Sequence, residues 1–179
     1  MEFEKSRTWA NLMSAFAGES QARTKYENYA KKASEQGHEQ IAAIFRATAA
    51  NELAHASLWL EALHDGSLPD TAANLRDAAE GEHFEWSSMY KEYAQTAREE
   101  GYTRLAAAFE LTAQVEAEHE ARYRSLIEHL EQGTLSKRKE KTVWICRYCG
   151  HIHEGETAPV RCPLCGKPQG FFEVHSREV

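Results

Sequence analysis

From Phe3 to about Gln132, apolar and polar positions mix as they do in helices. Ala and Leu recur among Glu, Lys, Arg and Gln, and only one proline interrupts them. Gly37, Gly66 and Gly101 divide this region and Gly133 ends it, as residues just past helix C-termini do. The stretch His64-Asp65-Gly66-Ser67-Leu68-Pro69-Asp70 gathers turn formers around that proline. The pattern predicts two helical pairs, roughly 4–63 and 71–131, with four helices of about 25–30 residues. Short junctions at Gly37 and Gly101 make the helices of each pair antiparallel neighbours, and the longer connection at Pro69 leaves room for a crossover or a hinge. From residue 142 the character changes to β-branched and aromatic residues, prolines and turn glycines. The expected division is a helical domain over 1–133, a linker over 134–141 and a small C-terminal domain over 142–179.

The two helical pairs repeat each other. When GESQARTKYENYAKKASEQG is laid on GEHFEWSSMYKEYAQTAREEG, Tyr26, Tyr29, Ala30, Ala33, Glu35 and Gly37 meet Tyr90, Tyr93, Ala94, Ala97, Glu99 and Gly101. Further on, Phe45, Glu52 and His55 meet Phe109, Glu116 and His119. Composition alone does not reproduce glycine breaks, both tyrosines and a Glu-x-x-His at one offset. The symmetry fails at one place. Glu19 to Tyr26 is seven residues, whereas Glu82 to Tyr90 is eight. An extra residue inside a continuous helix is commonly absorbed as a π-bulge, so one is predicted between Glu82 and Tyr90. An additional acid, Glu85, lies in that turn, where the first helix has Ala22.

Residues three apart on a helix share a face, so Glu52 with His55 and Glu116 with His119 can each hold one metal ion. With a Glu from each of two other helices, Glu19 and Glu82, they form the ligand set of a carboxylate-bridged dinuclear site in a four-helix bundle. Glu85 raises the carboxylates to five. Burying so many charges without cations costs several kcal/mol per ion, and mixed carboxylate and imidazole ligands suit iron or manganese better than structural zinc. Tyr26 and Tyr90 lie about two turns from Glu19 and Glu82. They are either donors to the metal carboxylates or core tyrosines with satisfied hydroxyls. Glu110 and Glu118 point off the ligand face and are expected at the surface. His38, His64, His83 and His129 show no ligand spacing and are expected to be exposed.

All four cysteines fall in the C-terminal segment, as Cys146-Arg147-Tyr148-Cys149-Gly150 and Cys162-Pro163-Leu164-Cys165-Gly166. Each glycine permits the backbone turn that aims amide N–H groups at sulfur. Four thiolates make a tetrahedral site for which a single iron and zinc are both possible, which keeps a zinc-ribbon reading open. Trp144, Tyr148, Phe171 and Phe172 are the expected apolar core of this module. His151 and His153 are expected to be exposed, since four thiolates already fill a tetrahedron.

Net charge −7 and a pI near 5.7 argue against nucleic-acid binding, which needs a basic face. The run Lys137-Arg138-Lys139-Glu140-Lys141 is short and mixed, and reads as solvated linker. No apolar stretch approaches the ~20 residues that span a bilayer, and MEFEKSRTW has no apolar signal core. Paired Cys-x-x-Cys without a secretion signal indicates metal rather than disulfide. A cytoplasmic protein is expected.

The motifs AFAGESQART, NELAH, AEGEHFEW and EAEHE, followed by VWICRYCG and RCPLCGKPQGFFE, resemble those of the rubrerythrin family along nearly the whole chain. That resemblance implies a mostly α protein, a ferritin-like four-helix bundle with a small rubredoxin-like C-terminal domain. It implies two irons bridged by Glu52 and Glu116, one bound terminally by Glu19 and the other by Glu82 and His119. His55 and Glu85 would be alternating ligands of the first iron, His55 when reduced and Glu85 when oxidised. Cys146, Cys149, Cys162 and Cys165 would hold a single iron, with zinc as a possible substitute. The implied activity is reduction of hydrogen peroxide to water in oxidative-stress defence. Electrons would come from an NAD(P)H-dependent reductase or a separate rubredoxin, and the protein would be a homodimer or higher homo-oligomer. The alternative is a ferritin-like ferroxidase or iron-handling protein, which would have no need of a four-cysteine redox module.

Overall fold

The structure, a computed structural model, describes residues 2–176. The chain divides into two compact units, Met1–Asp70 and Thr71–Val179. The first is a helical hairpin of α1 (Arg7–Glu35) and α2 (Glu39–Leu63). Ser6 caps α1, its hydroxyl accepting from the Trp9 amide at 3.0 Å. α1 ends where Gly37 takes φ +77°, and the His38 amide returns to the Ala33 carbonyl at 2.8 Å. The second unit repeats this stop at Gly101, φ +86°, where the Tyr102 amide reaches the Ala97 carbonyl at 2.7 Å.

The second hairpin pairs α5 (Thr103–Glu131) with a helix in three parts: α3 (Thr71–Phe84), a π turn (Glu85–Met89) and α4 (Tyr90–Glu99). The π turn lies where the sequence predicted it. It absorbs the whole inserted residue. Downstream, Tyr90 meets Phe109 at 6.0 Å and 32°, the values of Tyr26 on Phe45. Upstream, Glu82 keeps the relation to His119 that Glu19 has to His55.

Both hairpins are closed by alanine. Ala30, Ala33, Ala42, Ala49 and Ala56 are buried in the first, and Ala79, Ala94, Ala97 and Ala106 in the second. Such small side chains let the helix axes approach closely. No described helix is long and apolar enough to cross a membrane.

The C-terminal part of the second unit is a three-stranded antiparallel sheet of order β2-β1-β3, with β1 Lys137–Cys146, β2 Ile152–Thr157 and β3 Phe172–Val174. The strand thus opens inside the segment 134–141, at Lys137. Trp144, fully buried, packs with Cys146, Ala158, Cys162 and Phe172, and its indole donates to the Gly155 carbonyl at 2.9 Å. Phe171 packs against this core. Tyr148 does not join it. Its ring is 65% exposed and meets Phe171 edge-on at 6.4 Å under the Lys167 ammonium, because the first knuckle turns it outward.

Candidate metal centre

In the first hairpin, Glu19 from α1 comes to Glu52 and His55 of α2. His55 Nδ1 stands 3.0 Å from a Glu52 oxygen and 3.9 Å from a Glu19 oxygen. In the second, His119 Nδ1 stands 2.7 Å from Glu116 and 3.5 Å from Glu82. Within each triad one ligand atom per residue lies within 4.8 Å of the others, a spacing that could hold a cation. The geometry follows from helix periodicity: Glu and His three apart lie on one face, and the antiparallel neighbour brings the third residue level with them.

Crowding already shows in the protonation of these acids. A hydrogen bond with Glu52, aided by burial and the Glu52 charge, raises the pKa of Glu19. Burial and the Glu116 charge raise that of Glu82. Two carboxyl groups that share a proton form a site that a cation can fill by displacing it. The donor set therefore fits divalent iron.

Glu85 is half-buried in the π turn and is not one of the second triad's three tightly grouped residues. It is close enough for its charge to act on both Glu82 and Tyr90. Burial, then the Glu85 and Glu116 charges, push the Tyr90 phenol upward in pKa. Tyr26 and Tyr90 each stack on a phenylalanine, Phe45 and Phe109. Glu110 pairs with Arg98 at the surface, and Glu118 is exposed, as the sequence suggested.

The four cysteines converge in the tail. Cys146 and Cys165 sulfurs are 3.8 Å apart, Cys149 and Cys162 sulfurs 3.6 Å, and none is in a disulfide. Gly150 and Gly166, at φ +75° and +73°, close the two knuckles by donating to the Cys146 and Cys162 carbonyls. The His151 backbone hydrogen bond lowers the Cys149 thiol, but burial and the neighbouring sulfurs outweigh it and push it up to about 12. Burial opposes ionisation of Cys162, yet the Cys165 and Leu164 backbone hydrogen bonds bring it down to about 7. Four sulfurs this close suit a single cation, which binds them as thiolates.

Sequence spacing missed one residue. Glu120, beside His119, is the only buried charged side chain among the described residues. Its carboxylate accepts from the Trp86 indole, from Arg124 Nε at 2.5 Å and from His83 Nδ1 at 3.1 Å. The Trp86 bond, opposed by burial and assisted by His83 and Arg124, holds its pKa down to about 2. Its signal was present in the repeat: Glu120 aligns with the buried Ala56. His83 is exposed as expected, though engaged by Glu120. His129, His151 and His153 are half-buried rather than exposed; the His129 ring bonds the Thr134 hydroxyl at 2.8 Å, and the two tail histidines flank sheet positions beside Cys146 and Gly155.

Long paired helices carrying Glu-Glu-His triads, joined in one chain to a four-cysteine β module, define an iron-binding oxidoreductase of ferritin-like and rubredoxin-like parts. Comparison with known proteins gives the family. The rubrerythrin family model matches residues 10–127 and 73–145, and the model described as "Rubrerythrin, rubredoxin-like domain" matches 144–173. A rubrerythrin of Porphyromonas gingivalis is 44% identical, covering 94% of this chain and 90% of that one. A rubrerythrin of Nitratidesulfovibrio vulgaris is 41% identical, covering 94% of both. A solved mixed-valence nigerythrin is 32% identical over 98% of this chain and 91% of its own, with a TM-score of 0.36. The chain belongs to the rubrerythrin family, whose cofactors are a diiron site and a rubredoxin-like iron site.

Proposed function

We propose that this protein is a diiron peroxidase that reduces hydrogen peroxide to water, with electrons arriving through the four-cysteine centre. The observation that carries the reading is the pairing, in one chain, of two Glu-Glu-His triads with a four-sulfur cluster. A two-electron acceptor such as peroxide calls for a pair of redox metals and a route to refill them; storage or ferroxidation alone does not call for the tail. When bound, the iron pair supplies the two electrons that O–O cleavage consumes.

The residues divide the remaining work. Glu52 and Glu116 would be shared by the two irons, Glu19, Glu82 and His119 would each bind one of them, and His55 and Glu85 would be the ligands that exchange with oxidation state. Exchange between a neutral imidazole and a carboxylate lets the protein match its negative charge to the charge it must hold. His55 is over half exposed and so has room to move. Tyr90, kept protonated by burial and by the carboxylates around it, retains a proton to donate towards an oxygen species. Tyr26 is its counterpart in the other hairpin. Cys146, Cys149, Cys162 and Cys165 are assigned to the single iron, inside the division 1–133, 134–141 and 142–179. A reductase using NAD(P)H or a separate rubredoxin is the proposed donor, in the cytoplasm, to a homo-oligomer.

The test is anaerobic. Iron-loaded, fully reduced protein receives one equivalent of peroxide while the visible band of the tetrathiolate iron is followed. Rapid return of that band and of diferric absorption, with much slower change under oxygen, is expected. Reduced centres that ignore peroxide and oxidise quickly in oxygen would instead establish a ferroxidase.

A further inference from the structure

The π turn and the buried acid occur in the same hairpin. A π turn exchanges well-formed helical hydrogen bonds for poorer ones and persists only where its surroundings hold it. Here the hold is visible. Trp86 lies inside the turn and donates to Glu120 on α5; His83, just before the turn, contacts the same oxygen at 3.1 Å; Arg124 binds the other oxygen from one helical turn beyond. The Lys91 ammonium, two residues past the turn, caps the Trp86 ring at 5.2 Å.

The first hairpin provides the comparison. At the positions of Glu120, His83 and Arg124 it has Ala56, Ser20 and Leu60, and its helix α1 runs from Arg7 to Glu35 without a π turn. The bulge and the polar cluster therefore come and go together between two otherwise matched hairpins. We infer that Glu120 is a positioning residue: through Trp86 it pins the π turn to α5, and so aims Glu85, the first residue of that turn, at the neighbouring Glu82. The part concerning Glu85 rests on the ligand assignment proposed above; the part concerning the turn does not.

Two variants and two readouts test it. Glu120→Ala removes the anchor and installs the first hairpin's residue. Trp86→Phe keeps the ring but deletes the indole donor, leaving Glu120 paired with His83 and Arg124, so it retains a folded protein if the first variant does not. In metal-free full-length protein, amide hydrogen exchange over residues 85–90 should quicken at least tenfold in both, with 22–29 of α1 unchanged. In iron-loaded protein the diferric absorption should shift, while the tetrathiolate band keeps its position. Wild-type exchange over 85–90 in the folded variants overturns the inference. A diferric band that moves in Glu85→Gln but in neither variant overturns the aiming of Glu85 and leaves the ligand assignment standing. A band that Glu85→Gln does not move overturns the aiming and the assignment together.

Discussion

Tyr90 meets Phe109 at the separation and tilt with which Tyr26 meets Phe45, 6.0 Å and 32°, although Glu82 to Tyr90 is one residue longer than Glu19 to Tyr26. The stacking contact is thus a property of the rings and the phenol is free for another role. Tyr90→Phe should change stability by no more than about 0.5 kcal/mol, and Tyr90→Ala should cost about 2–3 kcal/mol, both read by denaturant unfolding of the metal-free protein. Peroxide turnover should fall in both. Full turnover in Tyr90→Phe would remove the phenol from the chemistry.

On the assignment proposed above, each triad would contribute a bridging carboxylate and neither would suffice alone. Glu52→Ala and Glu116→Ala should each lower bound iron from about three per chain to about one, the tetrathiolate iron. Elemental analysis beside the visible spectrum reads both numbers. A variant that still held a full iron complement would show that its glutamate is no bridge.

The raised pKa values of Glu19 and Glu82 set a pH dependence. A carboxyl whose folded pKa lies above its unfolded one binds more protons when folded, so the metal-free protein loses stability as pH rises through that window. Metal needs the deprotonated forms, so loading has the opposite slope: weak below the window and stronger above it. Unfolding midpoints with and without Fe(II), taken between pH 4 and pH 7 under anaerobic conditions, should diverge as pH rises. Parallel curves would mean that these carboxyls do not meet the metal.

Cys162→Ser removes one sulfur from a module whose buried core is five residues. The tetrathiolate band should vanish and Trp144 emission should shift to longer wavelength as the module loosens, since a core this small depends on its metal. Oxidation of the prereduced diiron site by peroxide should survive, whereas donor-driven turnover should collapse. Undiminished steady-state turnover would exclude the tail as the electron route.

Most of this was legible because periodicity carries it. The Glu-x-x-His pairs, the glycine stops and the one-residue offset each have one-dimensional signatures, and the π turn followed from counting between Glu82 and Tyr90. What could not be counted was partnership. Glu120 looks like any acid on a charged helix until Ala56 reveals that its position faces the seam, and its three donors come from spacings that no motif encodes. Tyr148 failed for a related reason: an aromatic between two metal-binding cysteines reads as core, but the backbone turn that frees the sulfurs sends that side chain to solvent.

Closure by methyl groups has a consequence beyond packing. Ala42 lies ten residues from Glu52 on the same rod, roughly 15 Å along the axis. Enlarging it would splay the hairpin like a wedge driven in at one end, and the gap between Glu19 and His55 would widen with it. The span available to an ion is therefore gauged from a distance, by side chains with no chemistry of their own.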